Sequence, residues 1–395
     1  MDPSIKNPFK PTAGANPPLL VGRADVLEAW QESLDNGPGS PGRITIYTGA
    51  RGVGKTVMLN EVGEISQSYG WRVIHETATT GVFARIRATI RKVIAEYESK
   101  GSRRLTGIQL PFNLGGVATE FSESEPTLEA DELRHLLDIL RTHETGLLIT
   151  LDEIHKGAIT DLRQIATLTQ HMIREDRDLA VAMAGLPTAV SQVLQDDVIT
   201  FLRRADKHSL ADVAVDDVEQ AFFETITAGN RTIDNEALHM CAVATYGYPF
   251  LIQLVGYHVW RSATGVHIDV DAAERGIASA LRKLGSLVHE PSLADLSDTD
   301  RTFLAAMAVD SGPAKMSDIA RRMSVDNQYA NVYRRRLLAA EIIQVARHGY
   351  VNFKQPFLRE YLREHAATQG LQTHEESDFD QSNQPILPDL EAGFE

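Results

Sequence analysis

Residues 49–56 read Gly-Ala-Arg-Gly-Val-Gly-Lys-Thr, which satisfies the spacing G-x-x-x-x-G-K-[ST]. An apolar β-branched run, Ile44–Tyr47, precedes them, and Val57, Met58, Val62 and Ile65 follow at helical spacing. A strand, a three-glycine turn and a helix start within so few residues admit few chain paths. The glycines let the backbone wrap an anion, and the exposed N–H groups of a helix start bind phosphate. The loop Gly49, Ala50, Arg51, Gly52, Val53 and Gly54, running into Lys55, Thr56 and Val57, is therefore expected to cradle a nucleotide's phosphates. Lys55 is expected to reach the β and γ phosphates, and the Thr56 hydroxyl to ligate Mg²⁺.

Around this loop, apolar strands alternate with helical patterns. Arg43–Thr48, Trp71–His75, Leu147–Leu151, Leu179–Ala184 and His208–Ala211 read as strands. That alternation predicts an α/β unit with a parallel sheet covered on both faces. The run Leu147-Leu148-Ile149-Thr150-Leu151 ends in Asp152-Glu153. Two acids closing a buried strand are costly unless they work at the sheet's carboxyl edge, where open α/β sheets bind ligands. Asp152 fits a carboxylate that organises Mg²⁺, and Glu153 a residue that orients or activates the attacking water. Gly101–Pro126, rich in Gly, Pro, Ser and Thr, interrupts the pattern and reads as a long loop or a hairpin.

The strand signals stop after Val213. Asp216 followed by Glu219 predicts a capping box, and Val218, Ala221, Phe222, Thr225 and Ile226 a helix behind it. Further helices are expected over Asp234–Tyr246, Pro249–Ser262 and Asp271–Val288. From residue 291, helices starting at Ser297, near Ser317 and at Asp326 precede a hairpin, Ile342–Ala346 and Tyr350–Phe353, turning at Arg347-His348-Gly349. Three helices and a hairpin give the order of a winged helix. The expected organisation is a Pro-rich arm over 1–18, a P-loop domain over 19–212, a helical lid over 213–290, a winged helix over 291–368 and a disordered acidic tail over 369–395. In front of the first domain's helix, Leu19-Leu20-Val21 reads as strand-like. Cys241 and the lid aromatics Tyr246, Tyr248, Phe250 and Trp260 read as core.

Four features together make the chain similar to the AAA+ class of P-loop ATPases, in particular the branch holding origin-recognition ATPases and STAND signalling ATPases. Leu20-Val21-Gly22-Arg23 resembles the family's V-G-R motif, which lies beside the adenine. The phosphate loop and the hydrophobic Asp-Glu motif match. Gly247-Tyr248-Pro249 resembles the G-x-P element opening a lid helix, whose proline faces the nucleotide. The C-terminal winged helix completes the layout over about residues 19–365. The resemblance implies ATP and Mg²⁺ as ligands, with Val21, Gly22, Arg23, Tyr248 and Pro249 joining the nucleotide site. It also places Arg203 and Arg204 where the family has an arginine contacting γ-phosphate; a surface arginine pair is the alternative. Two departures stand out. Leu179–Pro187 carries no Asn, Ser or Thr where many members have a polar sensor, and Gly-Tyr-Pro stands in place of the lid's sensor arginine. Both imply a slow, nucleotide-driven switch, or a regulator that holds nucleotide without turning it over.

On the third winged-helix helix, Ala330, Tyr333, Leu337 and Ala340 form an expected inward stripe, while Gln328, Asn331 and Arg335 share another face. Amide and guanidinium groups can read base edges, and Arg334, Arg336 and Arg347 are near enough for phosphates. Docking on a protein partner or a second copy is the alternative. The chain's net charge is −15, and residues 371–395 hold seven acids and no Lys or Arg. Residues 291–368, with eleven bases against nine acids, are mildly basic. A uniformly basic nucleic-acid coat is thereby excluded, whereas a local basic face is not. No apolar run approaches the ~20 residues of a spanning helix. Residues 1–18 contain five prolines and no apolar segment of signal type. A single cysteine, Cys241, excludes an internal disulfide and a Cys-based zinc site, so the reducing cytoplasm is the expected compartment.

Overall fold

The computed structural model describes residues 6–12, 14–102, 126–294 and 296–365, with the side chains of 100–102 and 126–129 left aside. Most of Gly101–Pro126 and all of the acidic tail lie outside the described residues. Two compact units divide the chain, Met1–Ala280 and Leu281–Glu395.

In the first unit, α1 (Ala24–Asp35) precedes β1 (Ile44–Thr48), α2 (Lys55–Ser68), β2 (Arg72–Thr77), α3 (Val82–Ser102) and α4 (Pro126–Thr142). Then come β3 (Leu147–Asp152), α5 (Ile159–Arg174), β4 (Leu179–Gly185), α6 (Pro187–Leu194) and β5 (Asp206–Ser209). The five strands form one parallel sheet in the order β2-β3-β4-β1-β5. Side-chain alternation along β4 explains how both faces are filled. Leu179, Val181 and Met183 join the apolar layer shared with α3, α4, α5 and α6. Ala180, Ala182 and Ala184 face the other layer, where their small size lets Met58, Leu59 and Val62 of α2 come close. Helix α2 thus lies on one face and α6 on the other. The connections leaving the adjacent strands β1 and β4 diverge, and a crevice opens at their carboxyl ends.

No strand forms at Leu19–Val21, which runs irregularly into α1, and β5 starts two residues earlier than its apolar residues predict. Four helices follow in the same unit: α7 (Val215–Ala228), α8 (Asn235–Ala244), α9 (Pro249–Ser262) and α10 (Val270–Leu284), the last running past Ala280. A two-strand pairing, β6 (Thr232–Ile233) with β7 (His267–Ile268), ties their loops. The Asp216 capping box is not made. Ala214 is the N-cap residue of α7 and makes no side-chain cap, so Asp216 and Asp217 act as first-turn acids on the helix dipole. Tyr246 is 64% exposed rather than core, whereas Cys241, Tyr248 and Trp260 are buried.

The second unit holds a π turn (Gly285–His289), α11 (Glu290–Ala294), α12 (Asp298–Ala308), β8 (Ala314–Lys315), α13 (Met316–Arg322), α14 (Asn327–Ala339), β9 (Ile343–Arg347) and β10 (Tyr350–Phe353), closed by a helical segment over 358–365. Ser297 and Asp300 make a full capping box, and Asp326 caps α14 through the Tyr329 N–H. The hairpin acquires a third strand, β8, giving the antiparallel order β8-β10-β9 of a winged helix. Two residues of β8 are too few to show a period in the sequence.

His289 sits at the base of this unit, 1% exposed. Its Nδ1–H donates to Gln355 Oε1 at 3.3 Å, and the ring packs 5.3 Å from Tyr361. Burial pulls its pKa down from 6.5 to about 4. A folded value below the unfolded one means the unfolded chain takes up the proton first, so stability is lost as pH falls from 6.5 toward 4. The unit should lose about 2 kcal/mol between pH 7 and pH 5, a dependence absent from His289→Phe. Chemical denaturation at the two pH values, followed by the far-UV signal of the winged helix, checks this; equal pH slopes in parent and variant would contradict it.

Candidate functional site: a phosphate loop facing two carboxylates

Strand β1 delivers the chain to the sheet's carboxyl edge at Thr48, and the loop 49–54 turns it into α2. Gly54 precedes the helix in the left-handed region, at φ 92°. Lys55, the first helical residue, donates its ammonium to the carbonyls of Gly49 at 2.9 Å and Ala50 at 2.7 Å. The Thr56 hydroxyl donates to Asp152 Oδ2 at 2.5 Å. On β3, the other Asp152 oxygen accepts the Glu153 N–H at 2.8 Å. Glu153 itself has φ 55°, a conformation that costs a non-glycine residue energy and that concentrates at working sites. Strand β4 separates β1 from β3 in the sheet, yet the loops beyond them converge. A hydroxyl and a carboxylate oxygen, both hard donors, meet beside an ammonium group and a helix N-terminus. That donor set suits Mg²⁺ on a phosphate chain.

These groups line a cavity of about 650 Å³, a volume ordinary for a nucleotide-sized ligand. Arg51, Gly52, Val53, Gly54, Lys55, Thr56, Val57, Asp152 and Glu153 all border it, as do Val21, Arg23 and Pro249. Gly22 sits beside Val213 just behind the wall, while Gly49 and Ala50 form the loop's buried base. Arg23 is buried and donates to the carbonyls of Gly22 at 3.0 Å and Ala211 at 2.5 Å, which fastens the stretch before α1 to the end of β5. Burial lowers its pKa, against the raising influence of the Asp212 and Asp25 carboxylates.

Tyr248 is placed differently from Pro249. Its phenol is buried and donates to the Arg51 carbonyl at 3.0 Å, so it holds the phosphate loop from behind. Burial raises its pKa, and the nearby Asp212 carboxylate adds to the effect, so it stays a donor at neutral pH. Gly52 explains the fit. Its φ is 78°, and a Cβ there would lie 1.9 Å from the Tyr248 hydroxyl. Arg203 and Arg204 are exposed in a 3₁₀ turn, Thr200–Arg204, and do not line this cavity. Arg203 Nε donates to the Leu194 carbonyl at 2.8 Å.

Several lining residues carry no motif: His155, Gly185 and Leu186 after the sheet, Phe250, Ile252 and Gln253 on α9, and Lys10, Thr12, Ala15 and Pro17 of the arm. His155 Nδ1 accepts the Gly157 N–H at 3.0 Å. Its place beside the Asp-Glu pair is the one sequence signal that could have selected it.

In the second unit, Gln328, Asn331 and Arg335 are exposed along α14 opposite buried Ala330 and Leu337. Ala340 follows the helix as its exposed C-cap and does not extend the inward stripe. Asn331 Nδ2 donates back to the Asn327 carbonyl at 2.9 Å. Arg336 pairs at 2.9 Å with Asp300, whose carboxylate is buried, so this arginine serves the fold. Arg334 is half-buried, and Arg347 lies 4.0 Å over the Tyr350 ring at the wing. Arg335 and Arg347 are therefore the cations best displayed on the helix and the wing.

A domain of unknown function (DUF8462) matches residues 286–362, the winged-helix region. No curated protein matches the chain. Among solved structures, the Walker-type ATPase PABY2304 of Pyrococcus abyssi is similar with a TM-score of 0.62 at 14% identity, covering 87% of this chain and 96% of that one. The ORC2 protein of Aeropyrum pernix, in ADPNP–ADP complexes, is similar with a TM-score of 0.57 at 14% identity, covering 91% and 98%. The chain thus has the fold of an AAA+ P-loop ATPase: a five-stranded parallel sheet, a helical region and a winged helix. Identity this low makes the likeness one of fold. Among the described residues, no helix is long and apolar enough to cross a membrane.

Proposed function

We propose that this chain binds ATP with Mg²⁺ and hydrolyses it slowly, as a cytoplasmic switch whose nucleotide state is read out through the winged helix, on duplex DNA. The observation that carries the reading is the convergence of Lys55, Thr56, Asp152 and Glu153 on one cavity, from two strands that are not neighbours. Lys55 and the loop N–H groups hold the phosphates, Thr56 and Asp152 hold the metal, and Glu153 directs water at the γ-phosphate. The division into arm 1–18, P-loop domain 19–212, lid 213–290, winged helix 291–368 and tail 369–395 belongs to this proposal. Arg203 and Arg204, exposed outside this cavity, belong to it only as γ-phosphate contacts made to the nucleotide of a second copy of the chain. The nucleotide held by the similar ORC2 protein supports the ligand class.

A second reading, a regulator that holds nucleotide without turning it over, is favoured by β4. All seven of its residues, Leu179–Gly185, are buried, and none carries a polar side chain to touch a γ-phosphate. Single-turnover hydrolysis of ATP with and without duplex separates the two. Slow turnover that duplex alters supports the switch; binding without turnover in either condition supports the regulator.

The DNA arm of the proposal has its own expected result. Binding to mixed duplex should be weak and steeply salt-dependent in the full chain, because a net charge of −15 opposes it. Deleting 371–395 removes seven acids and should tighten it. Arg335→Ala should weaken it by ~1–3 kcal/mol, the scale of a base-edge contact. Fluorescence anisotropy across a salt series reads all three. A tail-less protein that ignores duplex at low salt would make the winged helix a protein-docking module, or a contact between copies of the chain.

A further inference from the structure

We infer that the N-terminal arm is a working part of the nucleotide site, a brace that pins the helical lid to the phosphate-loop helix and so sets how fast nucleotide leaves. The inference rests on the nucleotide reading above.

The arm is anchored at two places on either side of the cavity. At the lid end, Phe9 is 3% exposed and meets the Phe222 ring of α7 edge-on at 5.7 Å. It seats directly on α9 at Gly256, where a Cβ would lie 2.4 Å from the Phe9 ring, so a side chain there forces the ring to move. Polar bonds flank the ring. Asn7 Nδ2 donates to the Tyr257 carbonyl at 3.0 Å, Asn7 Oδ1 accepts the Phe9 N–H at 3.1 Å, and the Lys10 N–H donates to Gln253 Oε1 at 3.1 Å.

At the other end the arm grips α2, the helix that the phosphate loop opens. Asn16 Nδ2 donates to Glu64 Oε1 at 2.8 Å. Asn60 Nδ2 donates to Asn16 Oδ1 at 2.9 Å and to the Gly14 carbonyl at 3.3 Å. Gly14 passes beside α2 so closely that a Cβ there would lie 3.8 Å from the Thr56 methyl. Between the two anchors, Lys10, Thr12 and Ala15 line the cavity itself, and Gln253, which the arm holds, lines it from the lid.

A ligand in the cavity is enclosed by the sheet edge, α9 and the arm. The lid cannot swing from α2 without pulling Phe9 off Gly256 or Asn16 off α2. Pro8, Pro11 and Pro17 restrict the arm before it docks, so less entropy is lost in holding it there. Exchange of nucleotide then requires release of the brace, and whatever peels the arm away speeds exchange.

The test is the rate at which a fluorescent mant-ADP leaves the full chain on dilution into unlabelled ADP. Phe9→Ala should speed release ~10-fold or more, the scale of one buried aromatic anchor. Gly256→Ala, which lies on the lid away from the phosphates, should do the same by expelling the ring. The double variant should release no faster than either single one, because both break one contact. Asn16→Ala disturbs no core and should accelerate release in the same direction, which keeps the test open should a Phe9 variant fold poorly. Unchanged release in all three single variants, with normal binding by the parent, overturns the brace alone. A parent that takes up no mant-ADP overturns the nucleotide reading, and the brace with it.

Discussion

Glu153→Gln is expected to leave ATP binding close to the parental level while single-turnover hydrolysis falls ~10²-fold or more, the scale of losing a general base. The side chain is exposed in the cavity wall rather than tied into the core, so the amide has room and no buried partner to lose. What positions it is backbone. The Asp152 carboxylate accepts the Glu153 N–H at 2.8 Å, and the residue stands at φ 55° whichever side chain it carries. Glutamine therefore keeps the geometry and loses only the ability to accept a proton from water. The measurement is phosphate release from a single loaded turnover, alongside mant-ATP titration. Hydrolysis at the parental rate would move the catalytic role elsewhere; a loss of binding equal to the loss of turnover would make Glu153 a ligand-holding group.

Lys55→Ala is the second large effect. The change removes the two hydrogen bonds from the ammonium to the Gly49 and Ala50 carbonyls, while Gly54 and the start of α2 keep the turn and its N–H groups. In the proposed site, the one point charge assigned to the β and γ phosphates is lost as well. Charge-assisted hydrogen bonds to an anion are worth ~1.5–3 kcal/mol each, so the expected loss in ATP affinity is ~10²-fold or more. ADP, with one phosphate fewer to contact, should suffer less. Calorimetric titration of both nucleotides into parent and variant checks the ratio. Equal, unaltered affinities would remove the phosphate loop from the assignment.

Both predictions rest on residues legible in the sequence, for a reason that lies in local chemistry. A phosphate loop needs its glycines, lysine and hydroxyl contiguous, because backbone N–H groups and the helix start do the binding within one turn of chain. The Asp-Glu pair is likewise visible, since acids ending a wholly apolar strand contradict burial unless that end is a ligand site. Winged-helix order was readable from Ser297, Asp326 and the turn at Gly349, where capping and turn preferences act over three or four residues. Short-range rules also misled. Asp216 and Glu219 have capping-box spacing, yet the helix begins one residue before Asp216 and takes it in as a first-turn acid. Arg336 has the composition of a phosphate contact, and a buried carboxylate from another helix claims it.

The candidate chemistry is legible without any coordinates: a glycine-rich turn suited to an anion, a hydroxyl and a carboxylate suited to a metal, a candidate base, and the order of elements that carry them. Which distant groups share the cavity follows from the packing of the whole domain. Strand order places β4 between β1 and β3, and the loops beyond them close the gap so that Thr56 reaches Asp152. Tyr248 turns from the cavity to the back of the loop at Gly52. The proline-rich arm lies across α9 and α2 because Gly256 leaves a seat for Phe9. Contacts between residues some 250 positions apart leave no period or spacing in either segment. They arise from shape and burial once the chain has folded, and burial is a property of the assembled core rather than of any stretch within it.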